Sequence, residues 1–390
     1  MDPRKIIFPQ SLTFDDILLL PDYAGFSRSD ITLNTRLTKK ISLSLPLVSA
    51  PMDTVTESDL AIKLAELGGI GIIHRNLTVN QQASEVKKVL KTRSASSGQE
   101  GLLVGAAVGA GTGFEERVRA LVKAGVSVIV VDSAHGYSKQ VIDATKYIKK
   151  HSPKTEVISG NIATGDGAKA LIEAGSDGLR VGMGPGAICT TRVISGMGVP
   201  QVTAVLDTVR VAKKFGIPVI ADGGIKYSGD MVKALALGAS TVMMGSFFAS
   251  CMESPGEKVE LSHDQVPHRF QSIFEKNKGE YLFKAYRGMG SIAAMEKGAK
   301  IKSEGEFHGK SYKERVLVAE GVEGLVPVKG TVKEIVDQAV GGIKSGMYYV
   351  GAKNLSELYK KAKFTKITQA SLTESHPHSV LITNPGDNYH

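Results

Sequence analysis

The segment Gly182 to Arg192, GMGPGAICTTR, puts a cysteine, two threonines and an arginine on a glycine-rich loop that leaves a short apolar run, Asp177 to Val181. Glycines let backbone amides approach a ligand, Pro185 stiffens the turn, and nearby amides stabilise a thiolate, so Cys189 is a candidate nucleophile. The same residues also fit a tight turn closed around a buried thiol, because free cysteine is among the most buried residue types. Asp222-Gly223-Gly224 and Gly245-Ser246 offer close-approach backbone of the kind that binds phosphate, or simply tight turns. Tyr286 to Ser291, YRGMGS, adds a hydroxyl and more glycine backbone.

These loops need elements to hold them. A unit of amphipathic helix, glycine stop and short apolar run recurs four times. The helices are Leu60 to Leu67, Glu115 to Ala124, Ala168 to Ala174 and Met231 to Leu237, and the runs that follow are Ile70 to Ile73, Val126 to Val131, Asp177 to Val181 and Thr241 to Met244. Glycine past the last turn supplies the left-handed cap that reverses the chain. Thr56 and Asp59 read as a capping pair for the first helix.

Further strands are expected at Leu45 to Ser49, Leu102 to Val108, Glu156 to Ser159 and Ile217 to Ala221. Eight near-continuous apolar runs alternating with helices predict an α/β fold of the (β/α)₈ TIM-barrel kind, one catalytic domain over residues 1–390. In that architecture chemistry gathers at the carboxyl ends of the strands. Here these carry Asp53, His74, Asp132, Asn161, the cysteine loop, Asp222 and Gly245. Leu102 to Asp132, with its Gly109 to Gly113 run, also imitates a Rossmann fingerprint, although Phe114 stands where the third glycine belongs. Residues 92–101 have linker composition, while 254–284 and 296–330 lack periodicity and are expected to be a loop insertion and an active-site flap.

The chain has 390 residues, 42% of them hydrophobic, enough for a full core. Two cysteines cannot build a disulfide framework, and with no secretory leader in Met1 to Leu20 the expected compartment is the cytoplasm. No apolar run approaches the roughly 18 residues of a membrane span, so no membrane partner is expected. The net charge of +9 suits an anionic ligand. The basic residues are dispersed, and the densest run, Lys353 to Lys366, reads as a solvated helix face, so nucleic acid is not the expected partner.

Taken together, LTFDD at 12–16, PMDTVTE at 51–57, GIGIIH at 69–74, DSAHG at 132–136, the cysteine loop, GVPQ at 198–201, ADGGI at 221–225, YRGMGS at 286–291 and ESHPH at 374–378 resemble the inosine 5′-monophosphate dehydrogenase and guanosine 5′-monophosphate reductase family over almost the whole chain. The resemblance implies that Cys189 attacks C2 of the purine and that Thr191 helps activate water. It implies substrate contacts at Met52, Ala187, Asp222, Gly224, Gly245, Ser246, Tyr286, Gly288, Met289, Gly290 and Glu320. It further implies NAD contacts at Asp132, Ser133, Asn161, Arg180 and Gly182, and a homotetramer. A potassium ion would be held by carbonyls of Gly184, Gly186 and Cys189, with Glu374, Ser375 and His376 from a neighbouring subunit. Oxygen-only ligation suits a hard monovalent cation better than the transition metal that His376 and His378 would favour.

Three departures from the family pattern stand out. The regulatory pair of small modules is replaced by the 92–101 connector. Ala187 stands where a serine often binds phosphate, a lost bond of about 1.5–3 kcal/mol if nothing replaces it. Between Ala299 and Val318 the adjacent arginine and tyrosine typical of the dehydrogenases are missing; Lys310, Tyr312 and Arg315 do not match them. That gap favours a reductase acting on GMP with NADPH, whereas the motifs at 225–230, 286–291 and 374–378 favour oxidation of IMP with NAD⁺.

Overall fold

The computed structural model describes residues 10–92, 101–267, 270, 281–301, 318–382 and 386. Eight parallel strands close into a barrel in chain order: β1 Leu47–Ser49, β2 Ile70–Ile73, β3 Val104–Val108, β4 Val128–Asp132, β5 Glu156–Ile162, β6 Gly178–Val181, β7 Val219–Asp222 and β8 Thr241–Met244. All eight expected strands are present, shifted by at most three residues at an end. The closed sheet excludes the open Rossmann arrangement.

Strand alternation divides the core in two. Val48, Ile70, Ile72, Val128, Val130, Ile158, Ile220 and Met243 point inward and pack on one another. Leu47, Ile73, Val104, Ile129, Val131, Leu179, Val219 and Val242 face the surrounding helices. Each fully buried aliphatic side chain contributes about 1.5–3 kcal/mol, which makes this double layer the main source of stability. The hairpin Thr35–Arg36 with Ser42–Leu43 seals the amino-terminal end, where Leu37 and Leu43 join the inner cluster.

The helices are α1 Ser58–Glu66, α2 Val79–Lys91, α3 Phe114–Ala124, α4 Lys139–His151, α5 Gly165–Glu173, α6 Gln201–Ala212, α7 Ser228–Ala236 and α8 Val332–Val350. Gly125, after α3, takes the expected left-handed cap at φ 92°. Thr56 does not cap α1. Its hydroxyl bonds Ser49 Oγ at 2.8 Å and the Ala50 carbonyl at 2.7 Å, burying the side chain beneath the turn. The free N–H of Ser58 is met instead by Glu85 Oε2 of α2 at 2.9 Å.

The regions expected to be irregular hold a second sheet. β9 Lys258–Leu261 lies within 254–284, β10 Tyr281–Arg287 follows, and β11 Glu323–Pro327 lies within 296–330; the three pair antiparallel. A helix, Ile292–Lys300, overlaps the start of the latter span. Residues 302–317 of the flap, including Lys310, Tyr312 and Arg315, and residues 93–100 of the connector lie outside the described residues. At the far end, Phe364–Lys366 pairs with Ile17–Leu19 and leads into the short helix Gln369–Glu374.

Lys284 of β10 ties the second sheet to the barrel. Its buried ammonium donates to the carbonyls of Cys251 at 3.0 Å and Met252 at 2.9 Å, to Ser254 Oγ at 3.0 Å and to the Ser254 carbonyl. Lys284→Met strands these acceptors in an apolar setting; urea unfolding is expected to show stability lowered by about 1–3 kcal/mol with an unchanged m-value.

Candidate active site

Every strand of a parallel barrel delivers its carboxyl end to one rim, and three groups of side chains meet there. The first centres on the cysteine loop. Cys189 is partly exposed and its Sγ donates to Thr191 Oγ1 at 3.2 Å, which donates to Glu320 Oε2 at 2.9 Å. Backbone bonds lace the loop to two distant segments: Thr190 N to Glu320 O at 2.9 Å, Val322 N to Ile188 O at 3.0 Å, Glu320 N to Gly290 O at 3.1 Å and Gly288 N to Val322 O at 3.0 Å. Gly288, Met289, Gly290 and Glu320 are thereby brought beside Cys189. Arg192 braces the loop from below, donating to Met183 O at 3.2 Å and Val199 O at 2.8 Å. Burial lowers the Arg192 pKa, and the nearby Cys189 charge opposes that shift.

The second group is an ionic bridge across the mouth. Arg180 points inward from β6, and the Cβ that Gly160 lacks would sit 2.5 Å from the Arg180 carbonyl and 2.7 Å from its Cβ. Arg180 Nε donates to Asp222 Oδ2 at 2.9 Å and its Nη1 donates to Asp132 Oδ1. Burial opposes the charge on this guanidinium, but the two carboxylates outweigh it and raise the pKa. Asn161 Nδ2 adds bonds to Asp222 Oδ2 at 2.7 Å and Gly182 O at 2.8 Å. Asp222 Oδ1 takes no bond among the described residues. Ser133 joins through Asn161 N to Ser133 O at 2.7 Å.

The third group surrounds Gly245. A Cβ there would lie 2.5 Å from the Tyr286 hydroxyl and 3.0 Å from Met52 Sδ, so only glycine admits both neighbours. The Ser246 N–H bonds the Tyr286 hydroxyl, whose pKa is raised by burial and then by the charges of Asp222 and Cys189. That hydroxyl therefore stays protonated. Gly223 and Gly224 take φ of 86° and 76°, and a Cβ on Gly223 would lie 3.0 Å from Pro185 Cγ, which seats the cysteine loop on the turn after β7.

Ala187 lies exposed on the cysteine loop between Gly186 and Ile188. Glu374 ends the short C-terminal helix and Ser375 and His376 follow it, the His376 ring standing 6.1 Å from that of Tyr227. Several residues with structural parts to play had no assigned role in the sequence reading. Gln201 Nε2 ties Val181 O at 2.9 Å to Asp222 O at 3.0 Å, keying β6 to β7. Asp53, Asn76 and Arg287 form a bonded cluster beside Met52 and Tyr286. The motifs contained most of these residues, but only the fold shows their partners.

A (β/α)₈ barrel with a partly exposed thiol and several glycine turns gathered at its carboxyl rim has the layout of a barrel enzyme. The family described as "IMP dehydrogenase / GMP reductase domain" matches residues 11–378, and the chain belongs to that family. Inosine-5′-monophosphate dehydrogenase of Cryptosporidium parvum is 43% identical over 415 residues, covering 97% of this chain and 98% of that protein. The enzymes of the same name from Aquifex aeolicus and Borreliella burgdorferi are 39% and 41% identical over 500 and 421 residues, covering 97% of this chain and 98% and 99% of theirs. The Aquifex alignment is longer than this chain, so that relative carries sequence that this one lacks.

Two tests address this geometry. Native protein treated with iodoacetamide is expected to label at Cys189 alone, because Cys251 is fully buried and burial pushes its thiol pKa up; peptide mass mapping before and after unfolding reads this. Arg180→Met leaves Asp132 and Asp222 without their shared counter-ion and is expected to cost about 3–5 kcal/mol in urea unfolding.

Proposed function

We propose that this chain oxidises IMP to xanthosine 5′-monophosphate for guanine nucleotide synthesis in the cytoplasm, with NAD⁺ as co-substrate. The observation that carries the reading is the unbroken chain from Cys189 Sγ through Thr191 Oγ1 to Glu320 Oε2. It gives the thiol proton a route to a carboxylate. The thiolate forms a bond to purine C2, whose hydrogen departs as hydride. NAD⁺, when bound, supplies the acceptor for that hydride. Glu320 passes that first proton to solvent; water then adds to C2 of the thioimidate, its proton passes through Thr191 to the freed Glu320 carboxylate, and the C–S bond breaks to restore the thiolate.

The remaining residues hold the substrate. Asp222 Oδ1 suits the ribose hydroxyls, since Arg180 and Asn161 fix the carboxylate through its other oxygen. Gly224, Gly245, Ser246 and Tyr286 suit the phosphate, and Met52, Gly288, Met289 and Gly290 the base. Ala187 offers only backbone, so the Tyr286 hydroxyl and Ser246 carry more of the phosphate recognition. Half-buried Asp132 and Ser133, with Asn161 and Gly182, form a polar rim suited to a nicotinamide and its ribose.

The loop also fits a potassium ion. Arg192 fixes the turn so tightly that a Cβ on Gly184 would lie 2.6 Å from its Cγ, leaving the carbonyls of Gly184, Gly186 and Cys189 as oxygen ligands in a set conformation. Glu374, Ser375 and His376 would complete that shell from a neighbouring copy in a homotetramer. The relatives' shared name supports oxidation of IMP over reduction of GMP.

Purified protein given IMP and NAD⁺ is expected to produce reduced nicotinamide, more so with potassium, and to leave GMP with NADPH unchanged. Cys189→Ala is expected to abolish turnover while still binding IMP, and Glu320→Gln to lower kcat by about 10²–10⁴-fold. Consumption of NADPH with GMP, and none of NAD⁺ with IMP, would instead establish the reductase direction.

A further inference from the structure

Outside the reacting groups, the largest bonded cluster at the rim joins the turn after β1 to the end of β10. Asp53 has a side chain with no exposure to solvent, and Arg287 grips it with both arms of its fork: Nε to Oδ1 at 3.0 Å and Nη2 to Oδ2 at 2.5 Å. Asn76 Nδ2 donates to Asp53 Oδ2 at 3.1 Å and to Ala294 O at 2.9 Å, and Arg287 N donates to Thr54 Oγ1 at 3.3 Å. Asn76 N in turn donates to His74 Nδ1 at 3.1 Å. The proton of neutral His74 therefore lies on Nε2, which faces Glu57 Oε1 at 3.1 Å. Burial opposes ionisation of Asp53 most, yet its bonds to Arg287 and Asn76 and the charge of Arg287 hold the carboxyl below the usual carboxylate range.

None of these groups lies among the residues that would touch the nucleotide. Their immediate chain neighbours do. Met52 precedes Asp53, Tyr286 precedes Arg287, and both of those side chains converge on Gly245, at 3.0 and 2.5 Å from where its Cβ would be. We propose that Arg287 and Asp53 are positioning residues, a forked ion pair that fixes Tyr286 against Gly245 and so sets the affinity for a nucleoside monophosphate's phosphate. This inference rests on the functional reading above and deepens it. A bidentate fork defines angle as well as distance, which a single ammonium contact does not. Lys297, whose Nζ stands 3.8 Å from Asp53 Oδ2, neutralises charge without defining that geometry.

The test is calorimetric binding of IMP and of inosine to wild type, Arg287→Lys, Asp53→Asn and the double variant. Arg287→Lys keeps the charge and loses the fork; it is expected to weaken IMP about 10-fold while moving inosine less than about 2-fold, since only the phosphate depends on Tyr286 and Gly245. The double variant is expected to be no weaker than either single variant, because both remove one device. Equal loss for IMP and inosine, or IMP affinity in Arg287→Lys within about 2-fold of wild type, would overturn the proposal. Should Asp53→Asn fail to fold, Arg287→Lys alone decides between these outcomes. A wild type that binds no IMP would overturn the functional reading itself, which sets that failure apart from this one.

Discussion

A single guanidinium placed inside the barrel mouth is the constraint on which the site depends. Arg180 occupies an inward position where a (β/α)₈ barrel ordinarily packs an aliphatic side chain, and only the missing Cβ of Gly160 makes the space. A buried cation is costly unless its partners are also fixed, and Asp132 and Asp222 supply that from β4 and β7. The bridge spans three strands, β4, β6 and β7, so it sets how their ends stand relative to one another. It also uses only Oδ2 of Asp222. In the proposed function the same carboxylate therefore serves both the bridge and, through Oδ1, the substrate ribose.

The thiol depends on contacts of a different kind. Arg192 and Pro185 steady its loop from nearby in sequence, and much of the remaining support is bonding to the distant segments Gly288–Gly290 and Glu320–Val322. Thr191 and Glu320 are 129 positions apart, yet their 2.9 Å bond completes the proposed proton route. These contacts therefore require the second sheet to be in place beside the barrel, where Lys284 grips the 251–254 turn.

The sequence revealed the barrel well because parallel strands are buried on both faces and read as unbroken apolar runs. Glycine stops then marked each reversal. The antiparallel sheet lacked that signal: β9 alternates between exposed and half-buried positions, and β11 is mostly exposed, so neither carries a readable apolar face. Thr56 misled for a related reason. A hydroxyl beside a helix start looks like a cap, but two buried acceptors at 2.7 and 2.8 Å compete more strongly for it. The cysteine loop and glycine turns were legible because composition alone encodes them. The pairing of Asp53 with Arg287, 234 positions apart, was not, since no local pattern announces a long-range ion pair.

Two arginines, then, hold the rim from opposite sides, and their different burial matches different tasks. Arg180 is nearly sealed and bridges two acids, a rigid arrangement suited to orienting Asp222, the carboxylate proposed to meet the ribose. Arg287 is about one-fifth exposed and meets one acid on a strand that belongs to the second sheet. Its fork is therefore the more adjustable of the two, and in the proposed arrangement it positions the residues nearest the phosphate. Since Ala187 offers the proposed phosphate site no hydroxyl, that reading places more of the recognition on Tyr286. The departure on the cysteine loop and the ion pair on the second sheet are in that sense parts of one arrangement.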